Sequence, residues 1–245
     1  MINFWERLKK EKPVVLHEGV YEKTESVSSA IFMITGMTIG AGVLGLPYVI
    51  AQVGLKIGLF YILILGLIML FLNLMIGEVA ARTREPMHLP GFTGKYLGPW
   101  AKRVVSLCVI FASLGSLLAY IIGEGQVLAE LFGGNPTWWS VAFWVLGAFL
   151  IWRGLHTVKV VEKVIGFSVI LIIVLLSIYA LKDYEPANFA FVNWNNIFLP
   201  YGVILFALCA TPAISEAHAL LPGDTKRFKK AIIIGSLIPI FVYLF

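Results

Sequence analysis

Charge is what this sequence has least of. Lys, Arg, Asp and Glu together make up 13% of its 245 residues, about half the share of an ordinary soluble domain. That is too little to give a globule of this size a water-facing surface. Cysteine is nearly absent too. Cys108 and Cys209 are the only two, and both fall inside long apolar stretches, which excludes a disulfide framework and a cysteine-built metal site. They read as small packing residues. The four histidines are scattered at positions 17, 88, 156 and 218. There is no H-E-x-x-H, no C-x-x-C, no phosphate-cradling G-x-x-x-x-G-K-[ST] and no Ser/His/Asp order. Enzymatic activity, a metal and a cofactor are therefore not expected. The first 25 residues lack the apolar core of a secretory signal: they carry Arg7, Lys9, Lys10, Lys12 and Lys23 against five glutamates. Ile2, Trp5 and Leu8 offer at most a short surface stripe, and residues 1–25 read as a solvated tail. The alternating segments of a membrane β-barrel are missing as well.

What remains is apolar. Hydrophobic residues make up 59% of the chain, and the charge-free runs are long: 26–55, 57–77, 104–123, 131–152, 164–181 and 186–215. About 20 such residues cross a hydrocarbon core roughly 30 Å thick. Residues 26–245 thus predict one all-α integral membrane domain of at least six spans. A seventh charge-free run, 231–245, holds only 15 residues. At 1.5 Å per residue that is about 21 Å, so the expectation is a C-terminally incomplete chain holding the start of span seven. The net charge of +5 is a matter of topology. Of 19 Lys and Arg, 17 lie in alternate links (1–25, 82–103, 153–163 and 222–230) and two lie in the others, near Lys56 and Lys182. This is the positive-inside pattern of a multi-pass plasma- or inner-membrane protein whose N-terminus is cytoplasmic. The basic balance therefore points to the lipid bilayer as partner, not to nucleic acid. Trp100, Trp138, Trp139, Trp152 and Trp194 sit near span ends, where their rings favour the interface.

Two spans are interrupted. The first contains Thr38-Ile-Gly40-Ala-Gly42-Val-Leu-Gly45-Leu-Pro47-Tyr48. In a helix interior glycine costs ~1 kcal/mol and proline ~3 kcal/mol relative to alanine. Gly36 and Gly40 form a GxxxG pair, but Gly40, Gly42 and Gly45 do not share a face, as a packing seam would require. The sixth contains Leu205-Phe-Ala-Leu-Cys-Ala-Thr211-Pro212-Ala-Ile-Ser-Glu216, where Pro212 removes a donor and crowds the carbonyl of Leu208. Four regular spans separate the two, so a five-span repeat would place them in opposite orientations. Broken helices at corresponding positions of inverted repeats point to a transporter binding site. Half-helix N-termini offer amides to a carboxylate, and unwound carbonyls offer acceptors to an ammonium.

At these residues the sequence resembles the amino acid–polyamine–organocation transporters. It is most similar to their amino acid/auxin permease and bacterial aromatic amino-acid permease branches. Leu118-Ala-Tyr-Ile-Ile-Gly-Glu124-Gly in span three adds to the likeness. In the second break Ala210 stands where the family's glycine usually lies, and Pro212 is displaced. The resemblance implies a LeuT-like inverted-repeat helical bundle, here the first five-helix repeat plus span six and the start of span seven, and alternating access driven by a proton or by sodium. It implies a carboxylate held by amides near Ala41, Gly42 and Val43. It also implies an ammonium facing carbonyls near Thr38 and from Phe206 through Ala207 to Leu208, with Gly40 and Ala210 beside the two breaks.

The lining expected from Phe206, Leu208, Ala210, Ser113, Ser116 and Tyr120 is apolar or weakly polar, and no Lys or Arg lies near either break. The expected substrate is a neutral amino acid, aromatic or branched-apolar, carried by a proton-coupled permease. A non-transporting scaffold or half-transporter subunit on the same fold is the other reading. Glu78 is expected to pair with Arg82 one turn on. Glu216 is either a proton-carrying or gating group, or a partner for Lys159 or Lys163. Glu124 either lines the outer vestibule or sits at the interface. His88 and His156 read as solvated.

Overall fold

The computed structural model of the chain describes residues 26–152 and 191–245, apart from 41, 84, 86 and 222, together with isolated positions between 168 and 182. The tail 1–25, the basic link with His156, Lys159 and Lys163, and most of the span expected at 164–181 lie outside the described residues. Among the described residues every regular element is helical: α1 (Val27–Thr38), α2 (Gly42–Val53), α3 (Leu55–Thr83), α4 (Leu89–Phe132), α5 (Pro136–Trp152), a short turn of 3-10 helix (Trp194–Asn196), α6 (Leu199–Ala207), α7 (Thr211–Leu220) and α8 (Thr225–Leu244). Among the described residues, three segments are long and apolar enough to cross a membrane: α3, α4 and the pair α6–α7. The outward surface is correspondingly oily. Phe60, Phe71, Phe111 and Trp152 are 63%, 64%, 71% and 83% exposed, a surface that water would not tolerate over so wide an area.

Most of the basic link at 82–103 is helical: α4 begins at Leu89 and carries Lys95, Lys102 and Arg103. Gly98 bends it at φ 89°, a left-handed conformation that suits glycine, and Pro99 starts the long run that follows. The charge-free run 231–245 lies in α8 as far as Leu244, and the first turns of that helix also carry Lys226, Arg227, Lys229 and Lys230. α8 starts at Thr225, capped by the Asp224 carboxylate accepting from the Arg227 amide at 2.9 Å, and its 20 residues rise about 30 Å.

α8 is the element around which the described bundle is organised. It packs on α1 and α3. Along α3, a Cβ added at Gly77 would run into Ile232, and one at Gly66 would stand 2.8 Å from Ile240. Between them the Asn73 amide Nδ2 donates to Ser236 Oγ at 3.2 Å. The descending order on α3 against the ascending order on α8 makes the pair antiparallel. On the α1 side, a Cβ at Gly235 would stand 2.8 Å from Ile34 Cβ, and Thr35 Oγ1 donates to the Gly235 carbonyl at 3.2 Å. Glycines let the backbones close to this distance, as membrane helices require when water cannot drive their association. By contrast, α4 and α5 form a hairpin of their own, closed where Gly125 meets Ser140 and the Pro136 carbonyl.

Candidate functional site at the crossing of two interrupted helices

α1 ends at Thr38 and α2 restarts at Gly42; α6 ends at Ala207 and α7 restarts at Thr211. Both interruptions fall where glycine or proline weakens the run, and they meet. Gly42 is buried directly against the backbone of Ala207, so closely that a Cβ there would collide with Ala207 Cα. One turn on, a Cβ at Gly45 would stand 3.0 Å from Val203. The order 42, 45 against 207, 203 runs opposite ways, so the two interrupted spans cross antiparallel. Gly36 has nothing within 4 Å of its Cβ position, whereas Gly40 would meet the Tyr120 hydroxyl at 2.5 Å. The glycines of span one therefore face α4, α6 and open space in turn, not one packing seam. Pro47 lies inside α2, not at the break.

Backbone polarity concentrates at the crossing. The Thr38 carbonyl accepts from the Gly40 amide at 3.0 Å, and the Gly40 carbonyl accepts from the Val43 amide at 3.1 Å. The Thr38 hydroxyl turns back to the Ile34 carbonyl at 2.6 Å. In the second break the Leu208 amide reaches the Ile204 carbonyl at 3.0 Å and the Cys209 amide reaches Phe206 at 3.2 Å. The Tyr243 hydroxyl on α8 lies between the breaks, 3.2 Å from the Thr38 carbonyl and 3.3 Å from the Ala207 carbonyl.

The sequence-derived site residues divide accordingly. Thr38, Gly42, Ala207, Leu208 and Ala210 are buried at the crossing, Gly40 and Val43 are half-buried, and Phe206 is 41% exposed. Ala41 lies outside the described residues. Of the span-three residues, Tyr120 reaches the first break, Ser116 bonds back to the Ala112 carbonyl at 2.9 Å, and Ser113 is exposed. Glu124 is half-buried one turn beyond Tyr120 and so on the same side of α4. Glu216 is half-buried on α7. Glu78 and Arg82 form the expected ion pair, well exposed. Cys108 and Cys209 are exposed and not packed inside, and Cys209 lies in the second break itself.

Away from the crossing, a cavity of about 1000 Å³ opens between α3, α7 and α8. Glu78, Arg82, His218, Asp224 and Lys229 line it, and the His218 ring lies 5.1 Å from that of Phe228. Its lining is partly charged and includes no residue of either break. Among the described residues no cluster of metal-ligating side chains occurs.

Sequence reasoning missed Tyr243 and Asn73. Each is a polar side chain in an apolar run, which is itself the signal, since a hydrogen-bonding group in hydrocarbon must find a partner.

The chain matches the model of the tryptophan/tyrosine permease family over residues 23–245. It is 28% identical over 243 residues to tyrosine-specific transport system 2 of Haemophilus influenzae, covering 91% of this chain and 57% of that protein. It is 24% identical over 240 residues to the low affinity tryptophan permease of Escherichia coli O157:H7, with the same 91% and 57% coverage. It is 23% identical over 221 residues to glutamine transporter 2 of Aliivibrio fischeri, covering 86% and 57%. The chain thus spans a little over half the length of these curated relatives. No solved structure matches it.

Proposed function

The chain belongs to the tryptophan/tyrosine permease family, and we propose that it forms the substrate-binding part of a secondary active permease for neutral amino acids, aromatic or branched-apolar ones preferred. The observation that carries the reading is the antiparallel crossing of two interrupted helices at Gly42 and Ala207. Such a crossing sets helix-terminal amides and carbonyls together without a charged side chain. A zwitterion is the ligand whose two poles both find partners there. An acidic substrate would need a buried cation beside the site, and the runs around both breaks hold no Lys or Arg. The relatives named above are called after tyrosine, tryptophan and glutamine, all neutral.

In this reading the two broken spans belong to inverted repeats of a LeuT-like bundle with a cytoplasmic N-terminus, and access alternates around the crossing. Thr38, Ala207 and Leu208 supply carbonyls to the ammonium, while Ala41, Gly42 and Val43 supply amides to the carboxylate, Val43 exchanging the bond it makes to the Gly40 carbonyl in the empty site. Gly40, Phe206 and Ala210 shape the surroundings. Coupling is to a proton, with Glu216 as its carrier and Glu124 in the vestibule.

One observation favours a second reading, a scaffold on the same fold: the glycine at position 42 is already occupied in packing against Ala207. Proteoliposomes containing the protein expressed from its full coding sequence separate the two. A permease accumulates labelled tryptophan, tyrosine or leucine under an inward proton gradient, and Glu216→Gln retains exchange but loses accumulation. Absence of uptake, and of thermal stabilisation by any of these amino acids, would leave the scaffold. A ligand at 100-fold above its dissociation constant should add about 2.7 kcal/mol. Undiminished gradient-driven accumulation by Glu216→Gln would remove Glu216 as the carrier.

A further inference from the structure

Tyr243 does something the family reading does not ask of it. Its hydroxyl lies within hydrogen-bond reach of two carbonyls on two different interrupted spans, Thr38 at 3.2 Å and Ala207 at 3.3 Å. The residue is buried, 9% exposed, and so are both of its partners. A phenol has one O–H to donate. It can serve one carbonyl fully, or share its proton poorly between both. The two distances are nearly equal and both are long for an O–H···O bond, whose usual length is about 2.7–2.8 Å. That is the geometry of a shared proton. The Thr38 carbonyl also accepts from the Gly40 amide at 3.0 Å, but each carbonyl oxygen has two lone pairs, and one phenol O–H divided between two such acceptors leaves room for a donor with more protons.

We propose that Tyr243 is a built-in occupant of the ammonium position: in the empty site its hydroxyl bridges the carbonyls of the two breaks, and a primary ammonium displaces it on binding. This rests on the reading that the amino acid sits at the crossing, and it assigns the side chain that the ligand must move. An ammonium brings three N–H donors, enough for both carbonyls, and charge-assisted bonds are roughly twice as strong as neutral ones. The exchange therefore runs downhill for a primary amine. A ligand without N–H donors gains nothing from it. Tyr243 becomes a selectivity device: it satisfies the carbonyls when the site is empty, and it sets an entry cost that amine-bearing ligands repay. Because Tyr243 is carried by α8, which packs on both α1 and α3, displacement also reports occupancy to that helix.

The test compares ligands with and without the amine, in the protein expressed from its full coding sequence. Whichever of L-tryptophan, L-tyrosine and L-leucine the wild type binds best is measured beside its desamino acid (indole-3-propionate, 3-(4-hydroxyphenyl)propionate or 4-methylpentanoate). Tyr243→Phe removes the competing hydroxyl and keeps the ring. The amino acid should bind about fivefold tighter, the usual net worth of one hydrogen bond, while the desamino acid shows no gain. Tyr243→Met gives the same comparison if the phenylalanine variant does not fold. A purely structural tyrosine would shift both ligands alike, and a tyrosine that holds the substrate would make the amino acid bind more weakly; either result overturns the proposal. If the wild type binds none of the three amino acids, the reading of the crossing as the substrate site falls, and this inference falls with it.

Discussion

The glycine at the crossing can be tested by one carbon atom. A Cβ placed on Gly42 would overlap Ala207 Cα and Cβ and stand 3.0 Å from its amide nitrogen. Two of these three neighbours are main chain, so no side-chain rotation relieves the contact. Overpacking of this kind costs about 1–3 kcal/mol, and the usual helical gain of alanine over glycine, about 1 kcal/mol in an interior, returns little at the first residue of α2. Gly42→Ala should therefore lose about 1–2 kcal/mol. Gly36→Ala is the matched control, because Gly36 is inside α1 with nothing within 4 Å of its Cβ position. That substitution should gain about 0.5–1 kcal/mol. Ala207→Gly in the Gly42→Ala background should rescue part of the loss but not all, since the Cα and nitrogen of residue 207 remain. Thermal unfolding of the detergent-purified protein reads all three variants beside the wild type. Equal stability of Gly42→Ala and wild type, or a loss in Gly36→Ala as large as that in Gly42→Ala, would refute the close crossing. The same contact governs a larger substitution, Gly42→Leu. A leucine there meets Ala207 before it reaches any substrate carboxylate, so its loss of uptake would not identify a binding site.

The bond between Asn73 and Ser236 ties α3 to α8 inside the apolar core, with Asn73 Oδ1 finding no further partner among the described residues. A double-mutant cycle of Asn73→Ala and Ser236→Ala should give a coupling near 0.6 kcal/mol and no more than about 1.7 kcal/mol, the range for such bonds between membrane helices; strict additivity would mean that the bond contributes nothing. The orientation inferred from the basic links is checked by single cysteines in a cysteine-free background. A probe at Asn135 should react with an impermeant reagent from outside the cell and one at Lys95 should not, and the opposite pattern would invert the topology.

Both interruptions were legible because helix-breaking is a property of a residue and its neighbours in sequence. Gly40, Gly42 and Pro212 announce weak points in runs that are otherwise featureless, and the helices do end at Thr38 and Ala207. The helical start of α4 was not legible for the converse reason. Its charged residues mark topology, and the bend that joins residues 89–97 to the long run after Pro99 depends on the positive φ of Gly98, which no periodicity records. Tyr243 and Asn73 escaped for a third reason. Their roles are defined by what lies opposite, some 200 residues away for Tyr243 and Thr38, and a neutral hydroxyl or amide in an apolar run carries no local sign of its partner. Yet the composition that hid them also explains them. In the proposed reading, spans with no Lys or Arg near either break hold a zwitterion by their backbone, and backbone carbonyls in a low-dielectric interior call for donors. A tyrosine hydroxyl between the Thr38 and Ala207 carbonyls is a neutral donor of the kind such a site needs between ligands, and its small polar end is what an ammonium would push aside.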